Sequence, residues 1–336
     1  MKHRLVATAA AIAAVTATAG TATAMTATSA DARASRAQLA ITTTVLPSFA
    51  VVSHARSLKV FNTKTGATAG TLKAPAGQQF QGVASDGTSH AFLAYTNPAS
   101  INAACHAYYY RFQVSTTGKP SALALLRSIP GSAATAIAAN PGGGTYTYSA
   151  VHCDTAPPNG LIGISGKAGT HTWAYNEGDD YTFSLAATTD ADTLALSLFV
   201  AGPGWANLLL NTDSNAATVD RASRVVPAIP YAQSLAISPH GATLYACISD
   251  GRTGTLTAYN AATGKLLKVL HSWTLATARN YFCQVSADST GKLLLASYSS
   301  EVSPRTSLLG INPQTGTTVK LPVQGDYTID GIGAAW

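Results

Sequence analysis

Three acidic residues stand close together in the middle of the chain. Glu177, Asp179 and Asp180 place three carboxylates within four residues, in a segment predicted to be a loop. Carboxylate oxygens are the hard ligands that Ca²⁺ prefers, so this cluster could bind a calcium ion. The alternative is a solvated loop whose charges face water. We therefore predict no required cofactor and keep Ca²⁺ as the one metal for which the sequence offers ligands.

Aromatic, arginine and asparagine residues recur in or beside several other predicted loops. Such side chains can hold a sugar or a peptide by ring stacking and hydrogen bonding. Together with the acidic cluster they form one set of candidate binding residues: Glu177, Asp179, Asp180, Tyr181, Trp205, Arg252, Trp273, Arg279 and Asn280.

Local motifs for catalysis are absent from the sequence. The segment Gly163-Ile164-Ser165-Gly166-Lys167 lacks the last glycine of a serine nucleophile elbow. There is no His-Glu-x-x-His pair and no phosphate-binding Gly-rich loop. The eight histidines are dispersed without metal-ligand spacing. We therefore predict no catalytic residue, and a non-enzymatic role is the favoured interpretation.

One turn motif recurs through the chain, and the number of its copies indicates the number of structural repeats. It reads as an apolar residue, Asn, two variable residues, Thr and Gly, as in Phe61–Gly66, Tyr259–Gly264 and Ile311–Gly316. The Asn side chain can cap such a turn, and Gly adopts the positive φ that lets two strands reverse. Weaker copies end at residues 118, 169 and 215, so six copies follow one another at intervals of about 50 residues.

Each repeat is predicted to contain four short strands, which indicates a six-bladed β-propeller of the all-β class. Seven blades are the alternative count. Residues Tyr327–Trp336 read as an innermost strand that would complete the blade begun by Phe49–Lys73. In this fold the loops between blades share one face with the loops between second and third strands. Most of the candidate binding residues fall on that face. Tyrosines 181, 231, 281 and 327 precede predicted inner strands, either as a ring around a funnel or as packing between blades.

The N-terminus has the composition of a secretory signal peptide. A basic start, Lys2–Arg4, precedes an apolar run, Leu5–Gly20, and small-residue cleavage patterns follow. The run is short for the about 20 residues of a membrane span. We assign residues 1–34 to the signal peptide and a short linker, 35–47 to a linker and 48–336 to the propeller. The protein is thus expected to be secreted, with no transmembrane span after cleavage.

Four cysteines follow this leader: Cys105, Cys153, Cys247 and Cys283. An even number in an oxidising compartment indicates two disulfides, whereas four buried thiols are the alternative. Pairs 105–153 and 247–283 would link neighbouring blades in the predicted strand map. Four cysteines allow three connectivities, and the sequence does not choose among them.

Charge is sparse and gives no indication of nucleic-acid binding. The 336 residues include 21 Lys or Arg and 15 Asp or Glu, a formal net charge of +6, and only 11% are charged. No basic stripe accompanies this small excess, so a nucleic-acid partner is excluded. Hydrophobic residues make up 46%, which excludes disorder driven by low apolar content.

One repeat also resembles a known family. The segments Leu235–Ala246 and Leu256–Lys265, with the turn Ser238–Gly241, resemble the YVTN-type and wider lactonase-like bacterial β-propeller repeats. His240 and Asn260 stand where that family usually has aspartate. The resemblance implies a propeller of the kind found in exported bacterial proteins. It implies no reaction, since propellers host many unrelated functions.

Three functions are consistent with these observations. The favoured one is a secreted, monomeric binding scaffold that holds a protein, a peptide or a glycan on its loop-rich face. One alternative is a lactonase-like or other metal-assisted hydrolase, and another is a structural component of the cell envelope. The missing catalytic motifs and the low charge favour the first.

Overall fold

The structure is a computed structural model, and every described residue belongs to the unit Thr44–Trp336. The predicted leader and nearly all of the predicted linker therefore lie outside the described residues. The described residues are 46–85, 90–100, 103–139, 145–153, 160–166, 169–175, 181–190, 192–200, 204–227, 229–249, 253–274, 281–300, 307–323 and 331–335.

Strands dominate this part of the chain, as the repeat pattern predicts. The one helix among the described residues is a single turn, α1 (Val219–Ala222). No helix in the described part of the chain has the length and apolar character needed to cross a bilayer. The strands in chain order are β1 Phe49–His54, β2 Ser57–Asn62, β3 Thr68–Lys73, β4 Gln78–Ser85, β5 Ala91–Pro98, β6 His106–Gln113, β7 Ala124–Pro130, β8 Ser132–Ala139, β9 Tyr146–His152, β10 Gly160–Gly166, β11 Gly169–Tyr175, β12 Tyr181–Ala187, β13 Thr193–Val200, β14 Gly204–Asn211, β15 Ser223–Val225, β16 Ser234–Ile237, β17 Thr243–Ser249, β18 Thr253–Asn260, β19 Leu266–Thr274, β20 Tyr281–Ala287, β21 Leu294–Ser300, β22 Ser307–Ile311, β23 Thr318–Leu321 and β24 Gly331–Ala335.

These strands form six antiparallel sheets of four strands each, so the prediction of a six-bladed β-propeller is confirmed. Blade 1 has the order β24-β1-β2-β3. Blades 2 to 6 are β4–β7, β8–β11, β12–β15, β16–β19 and β20–β23. In blade 1, β24 pairs antiparallel with β1, from Phe49 opposite Ala335 to Ser53 opposite Gly331. This sheet therefore contains strands from both ends of the described chain.

The first strands of the blades surround the axis. In the order β24, β4, β8, β12, β16 and β20, each of these strands contacts the next, and β20 contacts β24. Two of the predicted tyrosines, Tyr181 and Tyr281, begin inner strands β12 and β20, whereas Tyr231 lies three residues before β16. Tyr327 lies outside the described residues.

The apolar core is divided among the seams between blades. Six clusters of buried residues are present among the described residues, and each joins one blade to the next. In β1, Val51 packs in the seam with blade 2, whereas its neighbour Val52 packs in the seam with blade 6. A strand with both faces covered carries a continuous apolar run instead of an alternating one. This explains the high apolar content of a chain that has no single central core.

The repeated turn has the chemistry that its sequence predicts. Asn62 Oδ1 accepts hydrogen bonds from the backbone N–H groups of Lys64 and Thr65, both at 3.0 Å. The N–H of Gly66 donates to the carbonyl of Asn62 at 2.8 Å, and Gly66 has φ +71°. The turns that end at Gly264 and Gly316 repeat this bond at the same distance, with φ of +68° and +78°.

The same turns also touch the preceding blade. A Cβ on Gly66 would lie 1.7 Å from the carbonyl oxygen of Pro322, which follows the outer strand of blade 6. A Cβ on Gly264 would lie 1.7 Å from the carbonyl oxygen of Pro227, which follows the outer strand of blade 4. These glycines are therefore required for the positive φ and also for the close approach of two backbones.

Blade 4 departs most from the repeat. Its turn after Asn211 has no glycine, and α1 occupies part of the connection to β15. The outer strand is correspondingly only three residues long, Ser223–Val225. The weakest copy of the sequence motif thus corresponds to the least regular blade.

Candidate functional site

The two ends of the sheets form two faces of the propeller. The turn face carries the Asn-x-x-Thr-Gly turns and the turns between first and second strands. The linker face carries the connections between blades, such as 74–77, and the connections between second and third strands, such as 99–105. Because consecutive strands are antiparallel, these two sets of connections lie at opposite ends of every blade.

Six of the nine predicted binding residues lie outside the described part of the chain: Glu177, Asp179, Asp180, Arg252, Arg279 and Asn280. Tyr181 is the first residue of β12 and Trp205 is the second residue of β14, so both backbones lie at the linker face. Their side chains are not among those that the structure describes. Trp273 is the one member whose side chain is described. The predicted calcium ligands therefore remain a prediction. Within the described ranges no group of three His, Cys, Asp or Glu residues could hold a metal ion.

Trp273 forms an aromatic pair with Tyr298 across the seam between blades 5 and 6. The ring centroids are 5.1 Å apart and the ring planes differ by 11°, so the rings are stacked. Tyr298 is buried and Trp273 is only partly buried. The indole N–H of Trp273 has no hydrogen-bond partner among the described residues. The pair lies near the linker face, because Trp273 is the second-last residue of β19.

Local sequence explains how this pair is seated. Gly254 in β18 lies opposite Trp273 in the strand register. A Cβ on Gly254 would lie 2.3 Å from Cε2 of Tyr298, so the glycine leaves the space that the phenol ring occupies. Trp273 also packs against the seam cluster that contains Leu256, Cys283 and Tyr298. Buried residues of blades 5 and 6 therefore hold the Trp273–Tyr298 pair in place. We call this pair the aromatic platform.

His271 supports the indole from the side. Its imidazole meets the ring of Trp273 edge-on, with centroids 4.7 Å apart and planes at 75°. Burial lowers the pKa of His271 below its usual value of 6.5, because desolvation disfavours the charged form. This shift favours the neutral form of the imidazole beside the indole.

A second aromatic group lies at the linker face of blade 2 and was missed by sequence reasoning. Rings of His106, Tyr108 and Tyr110 follow one another along β6, with centroids at 4.2 Å and 6.5 Å. The Tyr110 hydroxyl donates to Gln78 Oε1 at 2.8 Å, and the Thr96 hydroxyl donates to the same oxygen. The signal available in the sequence was a ring side chain at every second position, 106, 108 and 110, which places the three rings on one face of a strand.

Two disulfides brace the linker-face half of the seams next to these groups. Cys105–Cys153 joins blades 2 and 3, and Cys247–Cys283 joins blades 5 and 6. The Cα atoms are 6.1 Å and 5.8 Å apart, within the usual range. This is the pairing that the strand map suggested. By loop-closure entropy, bridges across 48 and 36 residues can each stabilise the fold by up to about 4 kcal/mol.

One histidine–serine contact has the geometry of a nucleophile and its base. The Ser132 hydroxyl lies 3.1 Å from Nδ1 of His152, at the linker face beside the Cys105–Cys153 bridge. The two residues are cross-strand partners in β8 and β9. Ser132 is only 1% exposed, so a substrate carbonyl cannot reach its oxygen in this arrangement. The contact satisfies a buried hydroxyl group.

A small cavity lies on the propeller axis, nearer to the turn face. It has a volume of about 130 Å³ and is lined mainly by Ala and Ser residues of the inner strands. Its one described carboxylate, Asp288, accepts bonds from the backbone N–H groups of Lys292 and Leu293. Ligand pockets typically enclose about 300–1,000 Å³, and a water molecule takes about 30 Å³. At about 130 Å³ this cavity is smaller than a typical ligand pocket, and it has room for water molecules.

Comparison with known proteins shows the fold. No family model and no curated protein matches the chain. A chain of the nidogen/laminin complex is similar, with a TM-score of 0.57, 13% identity, and coverage of 86% of this chain and 98% of that chain. TolB from Acinetobacter baumannii has a TM-score of 0.56, 12% identity, and coverage of 85% and 66%. The periplasmic gluconolactonase of Pseudomonas aeruginosa has a TM-score of 0.50, 12% identity, and coverage of 81% of each chain. At such identities the likeness shows the propeller fold alone.

Proposed function

We propose that the protein is an extracytoplasmic binding scaffold that holds a protein, a peptide or a glycan on its linker face. The observation that carries this proposal is the Trp273–Tyr298 pair, a partly exposed aromatic group held by buried residues of two blades. Rigid, partly buried aromatic side chains are typical anchors of binding surfaces. The axial cavity, at about 130 Å³, is smaller than a typical ligand pocket.

An extracytoplasmic location is supported by the two disulfides, because such bonds form and persist mainly in oxidising compartments. The leader predicted over residues 1–34 and the linker over 35–47 agree with secretion. We also propose that the propeller begins at residue 48. One structural neighbour is described as periplasmic, which is consistent with the same kind of compartment.

A protein ligand is one candidate for the linker face, because one structural neighbour comes from a complex between two proteins, nidogen and laminin. We expect a monomer, no nucleic-acid partner and no required cofactor, with Ca²⁺ at Glu177, Asp179 and Asp180 as an option that metal analysis would test.

Blocking each face in turn tests the proposal. A cysteine is introduced at exposed Thr274 on the linker face, or at exposed Lys64 on the turn face, and is capped with a bulky polyethylene glycol maleimide. Saturable binding of each protein to washed envelope material of the producing organism is then measured. We expect the Thr274→Cys conjugate to lose binding and the Lys64→Cys conjugate to bind like the unmodified protein.

Three results would contradict the proposal. Equal binding by both conjugates would place the contact elsewhere. Saturable lactone or glycoside hydrolysis by the pure protein would favour the hydrolase alternative. Stoichiometric incorporation into an insoluble wall fraction, resistant to both blocks, would favour the structural alternative.

A further inference from the structure

We infer that the Cys105–Cys153 bridge is a site of thiol–disulfide exchange, which an external dithiol reduces while the propeller remains folded. The Cys247–Cys283 bridge, in contrast, is a permanent bond of the folded protein. This inference goes beyond the proposed scaffold function and does not depend on which ligand the linker face binds. Three features of the molecule support it: the exposure of the four cysteines, the contacts of the seam between blades 2 and 3, and the backbone bonds beside the bridge.

The two bridges differ in their exposure to solvent. Cys153 is exposed and Cys105 is half-buried, whereas Cys247 and Cys283 are each 0% exposed. Thiol–disulfide exchange begins when a thiolate attacks one sulfur atom of the bridge, so its rate depends on access to that atom. Of the two bridges, Cys105–Cys153 is therefore the one that an external thiolate can approach from solvent.

The buried bridge lies inside the apolar core. Cys247 and Cys283 belong to the cluster that fills the seam between blades 5 and 6, together with Leu256, Leu294 and Tyr298. A reductant would reach these sulfur atoms only after the seam had opened, which costs the free energy of the buried apolar contacts. We therefore expect this bridge to be reduced only when the blades around it unfold.

The seam between blades 2 and 3 has contacts that do not involve the exposed bridge. The Asn97 side chain donates to the carbonyl of Ala134 at 2.9 Å and accepts from the N–H of the same residue at 2.8 Å. The Tyr109 hydroxyl donates to the carbonyl of Ser149 at 2.6 Å. A cluster of buried apolar residues from both blades packs in the same seam. Reduction of the bridge should therefore leave this seam closed.

Backbone hydrogen bonds keep the two cysteines of the exposed bridge near each other. The N–H of Gly131 donates to the carbonyl of Cys105 at 3.0 Å, and the N–H of Cys153 donates to the carbonyl of Gly131 at 2.9 Å. Gly131, between β7 and β8, thus bonds to the backbones of both cysteines. The two thiols should remain close after reduction, so that the bond can form again.

The exchange proceeds in two steps whose atoms and electrons balance. A thiolate of the external dithiol attacks Sγ of Cys153, the bond between the two Sγ atoms breaks, and its electron pair passes to Sγ of Cys105, which takes up a proton. The second thiol of the reagent, as a thiolate, then attacks the reagent's own sulfur in this mixed disulfide and releases Cys153, which also takes up a proton. The dithiol is thereby oxidised to a disulfide, and the bridge gains two electrons and two protons. An excess of a small disulfide reverses the exchange.

Reduction of the folded protein with dithiothreitol, a small dithiol, tests the inference. The full mature protein is incubated with the reagent at about pH 8, where a thiol of ordinary pKa is partly ionised. Free thiols are trapped with N-ethylmaleimide, and each cysteine peptide is quantified by mass spectrometry. We expect Cys105 and Cys153 to be labelled at least about tenfold faster than Cys247 and Cys283. The near-ultraviolet circular dichroism, which reports tertiary packing, should stay native during this fast phase. In concentrated urea all four cysteines should be labelled at similar rates.

A double variant and a reoxidation step identify the fast phase. Cys105→Ser combined with Cys153→Ser should keep the native spectrum and release no thiol on the time scale of the fast phase. In an untrapped sample of the unmodified protein, oxidised glutathione should restore the bridge after the dithiol is removed.

Three results would overturn the inference, and each is measured on the unmodified protein. They are equal labelling rates for all four cysteines under native conditions, no labelling of Cys105 and Cys153 before the protein unfolds, and loss of the native spectrum in step with their labelling.

Discussion

The imidazole of His271 is the titratable group most closely linked to the aromatic platform. It lies edge-on to Trp273 and opposite Leu256, and both surroundings are apolar. Burial therefore lowers its pKa below 6.5. Sequence reasoning identified Trp273 from its residue type, and it gave His271 no role because the histidine has no motif around it.

Protonation of His271 should change both the emission of Trp273 and the stability of the fold. A protonated imidazole quenches a neighbouring indole, so the emission that distinguishes the protein from Trp273→Phe should fall at acid pH, with a midpoint below 6.5. The unfolded chain binds the proton more readily than the native one, so stability is present above about pH 6.5 and is lost as the pH falls through the lowered native pKa. His271→Gln should abolish the step. A midpoint above 6.5 would contradict the burial of this ring.

The Asn-x-x-Thr-Gly turn does more than reverse the chain. Its glycine has a positive φ in three described copies, and in two of them the missing Cβ makes room for the backbone of the preceding blade. Gly316 meets the ammonium group of Lys268, which in turn donates to the carbonyl of Thr315 at 2.7 Å. The motif therefore recurs because each turn has to reverse two strands and also contact a neighbouring blade.

Gly77 and Gly264 have similar positive φ values but different surroundings. Substitution of each therefore measures the backbone requirement with and without the contact to a neighbouring blade. Gly77 has φ +74° and open space around a would-be Cβ, whereas Gly264 has φ +68° and the Pro227 carbonyl oxygen at 1.7 Å. Gly77→Ala should lower the free energy of unfolding by about 1 kcal/mol through the left-handed backbone alone. Gly264→Ala adds a backbone clash and should cost about 3 kcal/mol or more. Urea unfolding of the two variants measures the difference. Equal losses in the free energy of unfolding would show that the turn at Gly264 makes no close backbone contact with blade 4.

The molecule as a whole is held together by its seams. Each sheet buries apolar side chains on both faces. Removal of one strand from a blade therefore exposes apolar residues in the seams on both sides of that blade. Hydrogen bonds from backbone N–H groups to serine hydroxyls link neighbouring inner strands and add to this. The N–H of Leu235 donates to Ser184 Oγ, and that of Val285 donates to Ser234 Oγ. Unfolding should therefore be cooperative around the ring.

Deletion of residues 331–336 tests that cooperativity. The deletion removes β24, leaves the inner edge of β1 unpaired and uncovers Val51 and Val52. A loss of several kcal/mol should lower the melting temperature by at least about 10 °C, at about 2–4 °C per kcal/mol for a large domain. Scanning calorimetry measures the shift, and a synthetic peptide of residues 325–336 added in trans should restore part of it. An unchanged melting curve would show that blade 1 is stable without its inner strand.

Local chemistry was sufficient to predict the repeated architecture. The spacing of about 50 residues, the Asn and Gly of each turn, and the apolar runs of β1 and β17 all depend on residues near in sequence. They therefore indicated six blades of four strands, and the map of strands suggested the pairs Cys105–Cys153 and Cys247–Cys283. The irregular turn after Asn211 corresponds to the irregular blade 4.

The site depended on contacts that no short segment contains. Trp273 and Tyr298 meet across two blades, and their stacking requires the absence of a side chain at Gly254 in a third strand. Trp173 and Trp273 both lie in outer strands two residues after a histidine, yet Trp173 is fully buried in its seam whereas Trp273 remains partly exposed. Periodicity predicts which face of a strand is apolar. Only the packing of one sheet against the next determines which side chains meet there and which remain accessible to a ligand.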